Sequence, residues 1–113
     1  MVEAAKIMKN INTSEVVVLK DQINYQEGQV VSKTLIQNKA LNITLFSFDK
    51  GEEISTHSSK GEAYVVVLDG VGKFTIADKE YFVKEGEAIV MPANVPHAVF
   101  APEKFKMQLV VVF

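Results

Sequence analysis

Two histidines, His57 and His97, are the only imidazoles in this chain of 113 residues. Each stands in a segment bounded by glycine. The first runs Gly51-Glu52-Glu53-Ile54-Ser55-Thr56-His57 and on to Gly70; the second runs from Gly86 through Met91-Pro92-Ala93-Asn94-Val95-Pro96 to His97. Imidazole titrates around neutral pH, hydrogen-bonds through either nitrogen and ligates first-row metals. Brought together, the two rings would form the polar end of a ligand pocket or an open metal site. Held apart, each would be an ordinary hydrogen-bonded residue of the scaffold.

Composition narrows the chemistry further. There is no Cys, which excludes a disulfide scaffold, a thiol nucleophile, an iron–sulfur cluster and a thiolate zinc site. All twelve basic residues are Lys, so the chain lacks the planar bidentate clamp that Arg offers to phosphate or carboxylate. With fourteen acidic residues the formal net charge is -2, which offers no electrostatic footprint for nucleic acid. Ser59 lies close to His57, but no third group is placed to orient a Ser–His nucleophile. Glu52-Glu53 reads as a solvated turn.

The elements that must position the histidines read as β-strands. At 48% hydrophobic and 23% charged the chain is globular. Short segments rich in Val, Ile, Phe, Tyr and Thr recur: Glu15–Lys20, Gln29–Ile36, Leu41–Phe48, Ala63–Leu68, Gly72–Ala77, Glu80–Lys84, Glu87–Met91, His97–Phe100 and Phe105–Phe113. Glycines fall between them, Asp69-Gly70 suggests a hairpin, and Ala77-Asp78-Lys79-Glu80 a tight turn. Residues 1–10 read as an N-terminal extension, disordered or with one or two helical turns. Pro92, Pro96 and Pro102 stiffen the loop that presents His97. The seven phenylalanines read mostly as core. The runs 16–19, 65–68 and 109–113 are apolar on both faces. A second sheet, the N-terminal segment or another subunit is expected to cover the outer face, and the pattern suits a homodimer. The N-terminus lacks the uninterrupted apolar core of a signal peptide, and no apolar run is long enough to span a bilayer. A cytoplasmic chain without membrane contact is the expectation.

The spacing of the two glycine-framed segments resembles the cupin family, in particular the small single-domain cupins with a cupin 2 conserved barrel. That family's first motif reads Gly, five residues, His, one residue, His, three or four residues, Glu, six residues, Gly; Gly51, His57 and Gly70 match it in register. Its second reads Gly, five residues, Pro, one residue, Gly, two residues, His, three residues, Asn; Gly86, Pro92 and His97 match. The resemblance implies an all-β fold, a single-domain cupin-type β-barrel or double-stranded jelly roll over residues 1–113. It also implies a divalent transition metal (iron, manganese, nickel or zinc) held by three His and one Glu.

Here the chain departs from the pattern. Ser59 stands at the second His position, Ala63 at the Glu position, Asn94 at the internal Gly and Ala101 at the terminal Asn. Asn94 is tolerable because Asn also adopts left-handed backbone angles. His57 and His97 are the metal ligands the motif still supplies, and two imidazoles make a weak, open site. Glu62 is a ligand only if a bulge turns it inward. Gln108, on the last strand, and Met91 are further pocket candidates. The leading expectation is a small-molecule-binding barrel whose polar end is His57, Ser59, His97 and Gln108, with no assignable reaction. The alternatives are a metal-dependent dioxygenase or isomerase using a third ligand, and a sensing or protein-partner module.

Overall fold

Segments rich in β-branched and aromatic residues extend into nine strands: β1 Val30–Gln37, β2 Leu41–Phe48, β3 Glu53–His57, β4 Glu62–Asp69, β5 Val71–Ile76, β6 Lys79–Lys84, β7 Ala88–Met91, β8 His97–Phe100 and β9 Phe105–Val112. The structure, a computed structural model, describes residues 7–113. A five-stranded sheet runs β1-β2-β9-β4-β7 and a four-stranded sheet β3-β8-β5-β6. Every pairing is antiparallel. The two sheets face each other as the expected all-β jelly roll. Among the described residues the one helical element is a 3₁₀ turn, Leu19–Gln22, and no helix is long and apolar enough to cross a membrane.

Alternation sends one side of each strand inward. Phe48, Val65, Val67, Phe105 and Met107 of the first sheet meet Phe74, Val83 and Val99 of the second in one core. Phe105 is its hub. Its ring stacks on Phe48 at 4.5 Å and meets Phe74 edge-on at 6.1 Å. Gly72 leaves room for it, since a β-carbon there would overlap both Phe105 and Phe74. Phe82 and Phe113 depart from the core expectation, at 63% and 56% exposed.

Two local expectations are corrected. Glu15–Lys20 is not a strand; Val16 is fully exposed and the chain enters the 3₁₀ turn instead. The segment lies over the outer face of the five-stranded sheet, where Ile11 and Ile23 pack on Leu35, Ile43, Leu45 and Leu68. Polar contacts hold it there. Lys106 Nζ donates to the Lys20 carbonyl at 2.5 Å and sits over the Tyr25 ring, while the Tyr25 hydroxyl donates to Asp69 at 2.7 Å. Burial, then the hydrogen bond to Asp69, pushes the Tyr25 pKa well above its ordinary value. The expected N-terminal helical turns fall partly outside the described residues, and residues 7–10 form none.

Asp69-Gly70 is not a hairpin either. β4 and β5 belong to different sheets, so the chain crosses between them there. Gly70 has φ +73°, and a β-carbon would collide with the Lys104 carbonyl. The Ala77-Asp78 turn does form, joining Ile76 to its partner Lys79.

Left-handed φ and the backbone clash together predict that Gly70→Ala destabilises the fold by about 2–3 kcal/mol. Urea denaturation followed by circular dichroism measures it.

Candidate ligand site at the histidine pair

The strand that carries His57 gives little apolar signal. Glu53-Ile54-Ser55-Thr56-His57 has one apolar residue, and β3 lies at a sheet edge with β8 as its partner. Ile54 pairs with Val99 and His57 with His97, with a register shift between them. Three steps along β3 thus oppose two along β8, which is a β-bulge. Residues three apart on a regular strand point to opposite faces. The extra residue returns His57 to the inner face that Ile54 shares with Val99.

His97 opens β8, pairs with Ile76 on its other side, and is 4% exposed. His57 is exposed. The rings meet edge-on with centroids 4.4 Å apart and interplanar angle 74°. Their Nε2 atoms are 3.2 Å apart. His57 Nδ1 lies 2.8 Å from the Ser55 carbonyl, and His97 Nδ1 lies 3.1 Å from the Val95 carbonyl. A carbonyl accepts only, so these partners assign the proton of each neutral ring to Nδ1. Each Nε2 then presents a lone pair to the other. Two lone pairs at this distance repel unless a shared proton, a donor group or a cation stands between them. Burial, then the charge of His57, lowers the pKa of His97, opposed by its bond to Val95. His97 therefore stays neutral at neutral pH.

The pair sits at one end of the barrel. His57 ends β3 and Met91 ends β7 at that end, and the β3–β4 and β7–β8 loops are tied there by the Asn94 N–H donating to the Ser59 carbonyl at 2.7 Å. Asn94 has φ 63°, the left-handed conformation that Asn tolerates. Ser59 is half-buried and its Oγ accepts from the Gly61 N–H at 3.1 Å. On the inner face of the other sheet, Asn42, Val111, Ala63 and Met91 stand in one register row.

Two pocket candidates from the sequence lie elsewhere. Glu62 is exposed while its neighbour Ala63 is buried, so alternation turns the carboxylate outward and β4 has no bulge there to re-aim it. Gln108 pairs with Leu45 and Val66, on the outer face of the five-stranded sheet; Met107 and Leu109, its neighbours, are the inward residues. Sequence reasoning missed Asn42. Its Oδ1 is buried without a hydrogen-bond partner. The signal was present in Leu41–Phe48, whose alternation places Asn42 and Thr44 on the side of Phe46 and Phe48.

Two nitrogens each about 2.1 Å from one ion stand about 3.0–3.4 Å apart at angles of roughly 90–110°. The histidine spacing meets that requirement. The rest of the donor set does not. Ala63 offers no donor, Ser59 offers a neutral hydroxyl, and among the described residues no third His, Cys, Asp or Glu joins the pair. The residues present therefore do not fit a tightly held resident metal.

A family model described as Cupin domain matches residues 44–113. A conserved protein of unknown function from Streptococcus pyogenes is 45% identical, over 97% of this chain and 96% of that one, with TM-score 0.94. A cupin superfamily protein from Desulfitobacterium hafniense is 28% identical, over 94% and 97%, with TM-score 0.89. A cupin 2 conserved barrel domain protein from Leptotrichia buccalis is 46% identical over 83% of this chain, which spans 46% of that longer one, with TM-score 0.82. Among curated proteins none matches this chain.

The lowered His97 pKa has a consequence for stability. Below its unfolded value of 6.5, the unfolded chain binds protons that the folded chain resists, so falling pH favours unfolding. The contribution is complete above that value and is lost as pH falls toward the folded pKa. Thermal unfolding from pH 7.5 down to 5.5 should show a falling midpoint, and the fall should be smaller in His97→Phe.

Proposed function

The chain belongs to the cupin family, and from that premise we propose that it binds a small polar molecule at the mouth of the barrel through His57 and His97. The observation that carries this reading is the convergence of two Nε2 atoms, 3.2 Å apart, with both Nδ1 atoms anchored on backbone carbonyls. Anchored rings lose little rotamer freedom on binding, which lowers the cost of association. Their free lone pairs ask for a hydrogen-bond donor, so the ligand carries a hydroxyl, an amine or a protonated acid group. Met91 and Val111 offer its apolar part a surface next to Ala63. The chain has no Arg, and among the described residues no carboxylate joins the pair, which argues against a ligand recognised by strong charge. Asn42 is the further polar group in reach of this reading, and we place the protein in the cytoplasm on its cysteine-free composition.

A metal-dependent dioxygenase or isomerase is the weaker reading. The nitrogen spacing favours it, but among the described residues no third protein ligand joins the pair. No reaction step is assigned to the pair.

Elemental analysis of the purified chain should find well under one transition metal per chain; one tightly held equivalent would overturn the metal-free reading. A nuclear magnetic resonance screen of small hydroxyl- and amine-bearing compounds should shift the His57 and His97 ring resonances together. Either histidine-to-Ala variant should weaken such a hit by about 3- to 10-fold, the worth of one hydrogen bond. Hits that leave both rings unmoved would place binding elsewhere.

A further inference from the structure

The inner face of the five-stranded sheet changes character from one edge to the other. In the register row at the mouth, Met91, Ala63 and Val111 lead from β7 to β9, and Asn42 follows on β2. In the next row, Leu109 on β9 leads to Thr44 on β2 and Thr34 on β1. Alternation from Val30, which packs in the core, turns Thr34 inward, while Val31 and Leu35 pack in the outer cluster. The β7–β4–β9 part of the face is thus continuous with the apolar core, whereas the β2–β1 part presents an amide and two hydroxyls. Neither row carries a charged side chain. Asn42 Oδ1 is buried and, among the described residues, has no hydrogen-bond partner. A buried acceptor left in that way costs stability.

Resting on the ligand reading of the histidine pair, we propose that the molecule bound there is a neutral polyhydroxylated compound of monosaccharide size, and that Asn42 is the residue that selects it. Hydrogen-bonding capacity points to that class. The pair presents two acceptor lone pairs and Asn42 Oδ1 a third, so the ligand brings several donors. The Asn42 amide nitrogen and the two threonine hydroxyls donate, so the same ligand also accepts. A hydroxyl does both, whereas an ammonium only donates and a carboxylate only accepts. Charge agrees, because uncharged walls leave an ionised group without a counter-charge, and burying one costs far more than burying a hydroxyl. Leu109 and Val111 face the carbon–hydrogen side of such a molecule. Size agrees as well. β9 and β1 lie two strand spacings apart, ~10 Å, which spans one hydroxylated ring with its hydrogen bonds. An analogue lacking the hydroxyl that meets Asn42 leaves Oδ1 unpaired again, which is how a buried polar group discriminates.

Nuclear magnetic resonance titration of the isotope-labelled full chain tests it, with a panel of neutral hexoses, pentoses and cyclitols, each beside its sugar-acid or amino-sugar counterpart. A neutral compound should move the Asn42 side-chain amide resonances together with both histidine rings, and should bind more tightly than its charged counterpart. Asn42→Leu keeps the size of the side chain and removes its donor and acceptor. It should weaken that binding about 10-fold and raise the thermal midpoint of the free chain, because the unpaired buried acceptor is gone. If Asn42→Leu fails to fold, Thr44→Val carries the test; it keeps the β-branched shape and should weaken binding about 3-fold. A compound that moves the histidine rings but not Asn42, or that binds the folded variants as tightly as the wild type, would overturn the role of Asn42 and leave the histidine site standing. Tighter binding of the charged counterparts, or no neutral binder at millimolar concentration, would overturn the ligand class. Binding that moves neither histidine ring would overturn the histidine reading and this one with it.

Discussion

Phe105 sets the distance between the two sheets, and the rest of the barrel follows from how its ring is housed. It stacks on Phe48 of its own sheet and meets Phe74 of the other edge-on. Gly70 and Gly72 have no β-carbon because Phe105 and the Lys104 carbonyl fill that space. The sheet crossing at Gly70 is thus tied to the aromatic plug. Protein interiors are close-packed, and these three phenylalanines, all fully buried, fill this part of the core. The polar inward residues gather instead where the loops after β3 and β7 meet.

At that end the chemistry is set by backbone carbonyls as much as by the imidazoles. Ser55 and Val95 each take an Nδ1 proton, which aims both Nε2 lone pairs at one point. A histidine whose second nitrogen is so anchored is the arrangement metal ligands favour. Here the same geometry persists where the family's second His and its Glu are replaced by Ser59 and Ala63. The outcome is a pair poised for a donor group, with two of the usual four protein ligands.

Much of this was legible in the sequence. Motif spacing placed His57 and His97 together, and eight of the nine strands carry an alternating or continuous apolar pattern. What stayed illegible depends on partners distant in the chain. β3 is polar because it is a sheet edge near the mouth, and its bulge appears only against β8. Glu15–Lys20 has the residues of a strand but no neighbour to pair with, so it lies across a sheet instead of joining one. Gln108 faces outward because Met107 and Leu109 beside it supply the inward face, a choice of side that the apolar run around it does not reveal. The orphaned Asn42 Oδ1 depends on what packs around it, which composition does not record.

The two imidazoles act as one site, and titration of the ring resonances of His97 in the wild type and in His57→Phe measures their coupling. Burial and the charge of His57 both hold the His97 pKa down, so it should titrate below its ordinary value of 6.5 in the wild type and move up when His57 is replaced. An unchanged His97 titration in His57→Phe would show two rings that do not sense each other, and would contradict the account.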